Sequence, residues 1–195
     1  VPRISSSDNT QTICEGRMRE VLAQIEAKIL DGIMKSLQAS VKYVNRLLSK
    51  QKPLDYKPRE DHSLAAEPTQ TAVAVCAYVA RQYGEIVTSL DGKNLDKFLT
   101  VFGFRLRRSI VAHFKKQSVS HMGSIILCRD VREFQNIVRM FHIDAVDSKF
   151  EELKTVCNVM FVPVDNMPGV LTENNKLLQI DGTMINEMLK MRADY

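Results

Sequence analysis

The sequence is poor in the residues from which nucleic-acid-binding or catalytic sites are usually built. It has no tryptophan, aromatic residues make up 7% of it, and 27 basic against 23 acidic residues leave a net charge of only +4. A base-stacking platform or a concentrated positive face is therefore not indicated. The usual phosphate-loop, dinucleotide, zinc-protease and serine-hydrolase motifs are missing. No apolar run reaches the length that crosses a bilayer.

Cysteine and histidine are few, with four of each, and they are scattered along the chain. No cysteine pair has the C-x-x-C spacing of a redox or zinc motif, and each cysteine has apolar neighbours. Reduced, buried thiols in an intracellular protein are therefore expected. The sharpest candidates for a metal or catalytic group are His113, His121 and Cys128, which lack the spacing of metal ligands. We expect His113 to cap or pack the end of a helix, Cys128 to lie in the core, and no metal or cofactor to be bound.

What the sequence does contain is helical periodicity. Hydrophobic residues make up 45% of the chain, and they recur at spacings of three and four, which predicts an all-α fold. A polar lead-in is expected at residues 1–9, and a loop with three prolines at residues 50–68. The predicted helices, in order, cover residues 18–48, 69–90, 95–117, 130–141, 148–161 and 183–193. We place a first helical bundle at residues 1–117 and a C-terminal bundle, packed end-on, at residues 118–195.

The segment between the third and fourth predicted helices is interpreted as a connector centred on Gly123. Its apolar run at residues 125–127 predicts a short strand or a buried extended piece. Asp130 and Glu133 then have the spacing of a capping box in acidic form, which would open the next helix. Ser148 and Glu151 have the spacing of a second capping box, at the start of the following predicted helix.

A basic strip runs along the third predicted helix. Its members are Arg105, Arg108, Lys115 and Lys116. One interpretation is a solvated face with ordinary ion pairs, and the other is a contact for anionic lipid or for a partner subunit. Arg107, by contrast, is expected to lie against a neighbouring helix.

Residues 103–110, GFRLRRSI, begin a set of segments that resembles exocyst complex component five, the Sec-ten subunit family. His113-Phe114, Met122-Gly123 and DVREF at residues 130–134 continue the match. Segments at 75–79, 91–94 and 189–195 follow the family's order and spacing, so the resemblance covers essentially the whole chain. The family often has histidine in place of Arg107 and a second glycine in place of Ser124. Its members are much longer, and this chain begins Val-Pro-Arg, so we interpret it as a fragment.

The resemblance implies an elongated rod of stacked antiparallel helical bundles, as in subunits of multisubunit tethering complexes. It implies a non-enzymatic exocyst subunit that tethers and docks secretory vesicles at the plasma membrane during exocytosis. The protein would be cytoplasmic and recruited to vesicles and plasma membrane. Its implied partners are the other exocyst subunits, especially Sec-fifteen, an Arf-family GTPase and, indirectly, a Rab GTPase, but no nucleic acid. Two alternatives stay open: an unrelated helical adaptor that binds peptides or partner helices, and an enzyme built on a helical bundle.

Overall fold

The fold is all-α, as predicted, over the residues that the computed structural model describes, 6–58 and 67–193. Two short 3-10 helices, Arg139–Phe141 and Val164–Asn166, accompany the α-helices. In chain order the α-helices are α1 (Ser6–Leu48), α2 (Gln70–Ser89), α3 (Gly92–Phe114), α4 (His121–Val138), α5 (Asp144–Val159), α6 (Met167–Glu173), α7 (Asn175–Leu178) and α8 (Gly182–Leu189).

The chain divides into two compact units, residues 1–39 and 40–195. The predicted boundary between residues 117 and 118 lies inside the second unit, where α2 packs on α4 and α3 packs on α5 across that point. The end-on packing of two bundles and the elongated rod stay predictions.

The first unit contains the amino-terminal part of α1. The predicted polar lead-in is wrong from Ser6 onward, because α1 already begins there. Large apolar side chains of this helix are between 41 and 67% exposed: Ile13, Met18, Val21, Leu22, Ile25, Ile29, Leu30 and Met34. Four of them recur at spacings of three and four and therefore share one face. We call Met18, Leu22, Ile25 and Ile29 the α1 stripe.

The core of the second unit lies where α4 packs against α5 and α2, and where α3 packs against α5. Helical spacing of apolar residues in α3 predicts one buried face that includes Phe98, Phe102 and Ile110. This face is confirmed, since all three residues are at most 4% exposed. Phe102 contacts Phe141 with a ring separation of 6.0 Å, which ties α3 to the 3-10 helix that follows α4. Periodicity alone therefore located the central face of this unit.

The apolar residues of α2, Val73 and Val87 among them, predict a buried side for this helix, and this prediction is partly wrong. Val73 and Val87 are 46 and 37% exposed, whereas Val75, which was not assigned to that side, is fully buried. The helix is apolar on several sides, so its sequence does not single out one face. The packing of α2 on α4 decides which side is buried.

The predicted connector before residue 130 is also wrong, because α4 begins at His121. The side chain of Ser120 caps it and accepts a hydrogen bond from the Gly123 amide at 3.0 Å. Residues 125–127 are consequently helical and not extended, and Asp130 lies well inside α4, where it cannot act as a cap. The second predicted capping box is wrong for the same reason, since α5 begins at Asp144, before Ser148.

Helices α3 and α5 are in close contact at Gly103. A Cβ atom built there would lie 2.6 and 2.7 Å from the two Cγ atoms of Val146, and valine has little rotamer freedom with which to move away. We expect Gly103→Ala to lower the free energy of unfolding by about 1–2 kcal/mol, despite alanine's higher helix propensity. Urea denaturation measures this change.

The matched test of this contact is Val146→Ala, alone and combined with Gly103→Ala. The double variant removes both clashing methyl groups, so it should be more stable than the sum of the two single effects by about 1 kcal/mol. Additive effects would show that the Gly103 contact does not limit the packing of α3 on α5.

Candidate functional site

Three of the four predicted basic site residues line a single groove of about 740 Å³. Arg105 and Arg108 come from α3, and Lys116 lies in the turn that follows it. The opposite wall comes from the end of α1 and the residues after it: Val41, Asn45, Leu48, Ser49 and Gln51. We call this cavity the α3 groove. All of its lining residues belong to the second unit.

Lys115, the residue directly after α3, does not line the groove, and its ammonium group pairs with Glu187 of α8. Arg107 lines a different cavity together with Lys115. The prediction that Arg107 lies against a neighbouring helix is confirmed. Its Nε donates a hydrogen bond to the Lys149 carbonyl at 2.7 Å, and its Nη2 lies 3.7 Å from a Glu152 oxygen. Burial lowers the pKa of Arg107, and Glu152 opposes this effect. The predicted basic strip is thus two separate groups of cations.

The groove side of α3 is electrostatically uncompensated within the part of the chain that the structure describes. There, Arg105, Arg108 and Lys116 form no ion pair with a carboxylate. His113 also lines the groove, in the last turn of α3. Burial, and then the nearby Lys116, lower the pKa of His113, so its imidazole is neutral at pH 7. The groove therefore presents three fixed positive charges.

His113, His121 and Cys128 do not form a metal site. No three or more His, Cys, Asp or Glu residues in the described ranges are grouped so that they could hold a metal ion. His121 is exposed as the first residue of α4, and the Cys128 thiol donates to the Cys157 carbonyl at 3.2 Å.

The four cysteines, all within the described ranges, form no disulfide. Cys157 is fully buried, as predicted, but Cys14 is exposed, so the prediction of four buried thiols is wrong there. Burial, with Glu133 and Asp130 nearby, raises the pKa of Cys76 to about 12. The Cys76 thiol is therefore protonated and weakly nucleophilic at neutral pH.

The most strongly organised polar group, which sequence reasoning missed, is a buried cluster around Asp130. Its carboxylate accepts hydrogen bonds from the Tyr56 hydroxyl at 2.6 Å, the Thr69 amide at 2.7 Å and the Thr69 hydroxyl at 2.7 Å. We call these three residues the Asp130 cluster. They join the loop after α1, the cap of α2 and the middle of α4.

Burial dominates the electrostatics of the Asp130 cluster. It raises the pKa of Asp130, although the hydrogen bonds from Tyr56 and Thr69 act in the opposite direction. Burial and the neighbouring Asp130 raise the pKa of Tyr56 far above its usual range. Both oxygens of the carboxylate are occupied by donors, and Asp130 is fully buried. The arrangement fastens three segments together and offers no reactive group to a substrate.

Tyr56 also contacts α4 through its backbone. Its carbonyl accepts a hydrogen bond from the Ser120 amide at 3.0 Å. The same carbonyl oxygen would lie only 1.8 Å from a Cβ atom built on Gly123. The absence of a side chain at Gly123 is therefore what lets the loop reach α4. The sequence held only a weak signal of this contact, a glycine inside an otherwise apolar segment.

None of the described helices combines the length and the apolar composition that a membrane crossing requires.

Known proteins with similar sequences span the whole chain. The whole chain, residues 1–195, matches the family model described as exocyst complex component Sec10-like, alpha-helical bundle. It is 33% identical to human exocyst complex component 5 over its entire length, which is 27% of the human protein. It is 32% identical to SEC10a of Arabidopsis thaliana, over 93% of this chain and 22% of that protein.

The Drosophila melanogaster exocyst complex component 5 is 28% identical over 92% of this chain and 25% of its own length. The chain thus spans about a quarter of the relatives that it matches. The match runs through the α3 segment and the closing residues on which the resemblance rested, and it confirms that resemblance. The chain therefore belongs to the exocyst complex component Sec10-like, alpha-helical bundle family.

Proposed function

We propose that the chain is a non-enzymatic helical scaffold of an exocyst subunit and that it takes part in tethering and docking secretory vesicles at the plasma membrane. In this proposal it acts in the cytoplasm and reaches vesicles and plasma membrane through the complex. The other exocyst subunits are its partners, Sec-fifteen above all, with an Arf-family GTPase and an indirect Rab link as further partners. The family resemblance supports these assignments.

The observation that carries the proposal is the α1 stripe. Its four side chains are between 48 and 67% exposed in the first unit. Further apolar residues, such as Leu30 and Met34, lie off this face and are also exposed. A helix that is apolar on more than one side is stable in water when neighbours cover it. The α1 stripe therefore suits a segment that packs against helices of another subunit in the complex.

Capture experiments with each of the other exocyst subunits test this proposal. In the variant Leu22→Gln/Ile25→Gln/Ile29→Gln, three apolar contacts are replaced by side chains that retain high helix propensity. Each side chain that becomes buried on binding contributes about 1 kcal/mol, so we expect about a 100-fold loss of affinity for the partner subunit. The chain should keep its circular dichroism spectrum, because these positions are exposed.

The matched control changes the polar side of the same helix, as Arg17→Gln/Gln24→Ala/Lys28→Gln. It should bind the partner subunit as the unmodified chain does. Equal capture of the stripe variant and the control, or no capture by any exocyst subunit, would contradict the proposal.

A further inference from the structure

From Arg105 to Lys116, the α3 groove separates the cations into two classes. Arg107 and Lys115 are paired, with Glu152 of α5 and Glu187 of α8. Arg105 and Arg108 face the groove and have no described carboxylate partner. Ordinary solvated lysines and arginines would be spread over the whole exposed surface of a helix. Lys93 and Lys97, near the start of α3, have no described ion pair either and lie outside the groove. From Arg105 onward, however, the uncompensated charges share one concave surface.

The lining of the groove fits a ligand that carries both negative charge and apolar atoms. None of the residues that line it is an aspartate or a glutamate. Val41 on one wall and Ala112 on the other supply apolar contact, and Asn45 and Gln51 supply uncharged hydrogen-bonding groups. The volume of the groove is about 740 Å³.

The spacing of the cations selects the kind of anion. From Arg105 to the end of α3 at Phe114 the helix advances about 14 Å, at about 1.5 Å per residue, and Lys116 lies just beyond that end. One phosphate group cannot contact both ends of such a row, whereas a polypeptide with several carboxylates can follow it. A flat bilayer surface would touch protruding residues more readily than the lining of a concave groove. We propose that the α3 groove binds an acidic segment of a partner protein.

The α3 groove is a second surface, formed by residues of the second unit, and binding there is a function in addition to the scaffold role of the α1 stripe. Arg105 and Arg108 hold the part of the segment near the middle of α3, and Lys116 holds the part near the end of the helix. The apolar wall accepts side chains between the carboxylates. Since the charges lie at a partly exposed site, we expect binding to weaken as salt is added.

The probe is a fluorescent synthetic peptide of about 12 residues, matched to the groove length at about 1.5 Å per residue, with glutamate and leucine at helical spacing. Fluorescence anisotropy measures its binding to the whole chain. We expect Arg105→Gln/Arg108→Gln/Lys116→Gln to weaken binding at least about tenfold. The matched control, Lys93→Gln/Lys97→Gln/Lys190→Gln, removes the same charge elsewhere and should stay within about twofold of the unmodified chain.

Two further arms separate a protein ligand from other anions. Vesicles with phosphatidylserine and phosphatidylinositol bisphosphate test a membrane contact, and free inositol hexakisphosphate tests an isolated phosphate site. The proposal is overturned if the peptide does not bind, if groove and control variants lose equal affinity, or if the groove variant loses only vesicle or phosphate binding. The α1 stripe variant should bind the peptide normally, so failure of this proposal is distinguishable from failure of the scaffold function.

Discussion

Gly123→Ala is expected to lower the free energy of unfolding by about 4 kcal/mol, which corresponds to a fall in Tm of about 10 °C for a chain of this size. The added methyl group would lie 1.8 Å from the Tyr56 carbonyl oxygen and 2.4 Å from its carbonyl carbon. These are backbone atoms, so no rotamer change relieves the overlap. The loop must move away from α4, and the Ser120 amide then loses its acceptor.

The matched control for this substitution is Gly84→Ala in α2. A Cβ atom at Gly84 would meet nothing within 4 Å. In a helix interior, alanine is favoured over glycine by about 1 kcal/mol, so this variant should be more stable than the unmodified chain. Thermal unfolding followed by circular dichroism measures both variants. Similar small effects for the two substitutions would show that the loop does not rest on α4 at this glycine.

Asp130→Ala is expected to lower the free energy of unfolding by about 3 kcal/mol. It leaves the Tyr56 hydroxyl and the Thr69 amide buried without an acceptor, and each such group costs about 1–3 kcal/mol. The substitution also removes a carboxylate whose burial is unfavourable, and this offsets part of the cost. Urea denaturation at pH 7 measures the change.

A double-mutant cycle with Tyr56→Phe identifies the origin of the effect. In the unmodified chain, Tyr56→Phe removes a hydrogen bond to a charged group and should cost about 1.5–3 kcal/mol. In the Asp130→Ala background it removes an unpaired buried hydroxyl, so it should be neutral or stabilising. Equal costs in both backgrounds would show that the 2.6 Å contact contributes nothing to stability.

The Asp130 cluster also predicts how the stability of the folded chain changes with pH. Burial raises the pKa of Asp130 in the folded chain, so the folded state binds this proton more tightly than the unfolded state. The contribution of this group to stability is therefore fully present below the unfolded pKa, near 4, and is lost as pH rises through the raised pKa of the folded state. Relative to Asp130→Asn, the unmodified chain should gain stability on acidification over this range.

The fold class and the central face of α3 followed from the sequence, because the spacing of Phe98, Phe102 and Ile110 is a local property of one helix. The start of α4 did not follow. Its first residues include Gly123 and an isoleucine pair, which are typical of a turn and a strand. Packing against Tyr56 requires the glycine there, so tertiary contact overrides local preference.

The candidate site also has features that could be predicted from the sequence and features that could not. The basic residues of α3 were visible in the sequence, and the position of Arg107 against another helix was predicted correctly. The groove itself was not predictable, because its second wall comes from residues near Asn45, far away in the chain. The Asp130 cluster was missed for the same reason, since its partners are 61 and 74 positions away. The local pattern at Asp130 suggested a helix cap instead.

Tyr56 and Thr69, which flank the intervening loop, are bonded to the same carboxylate. The ends of that loop are therefore already held close together by contacts that do not depend on what connects them. An affinity tag or a protease site inserted between Tyr56 and Thr69 would therefore leave in place the hydrogen bonds that hold these two residues to α4.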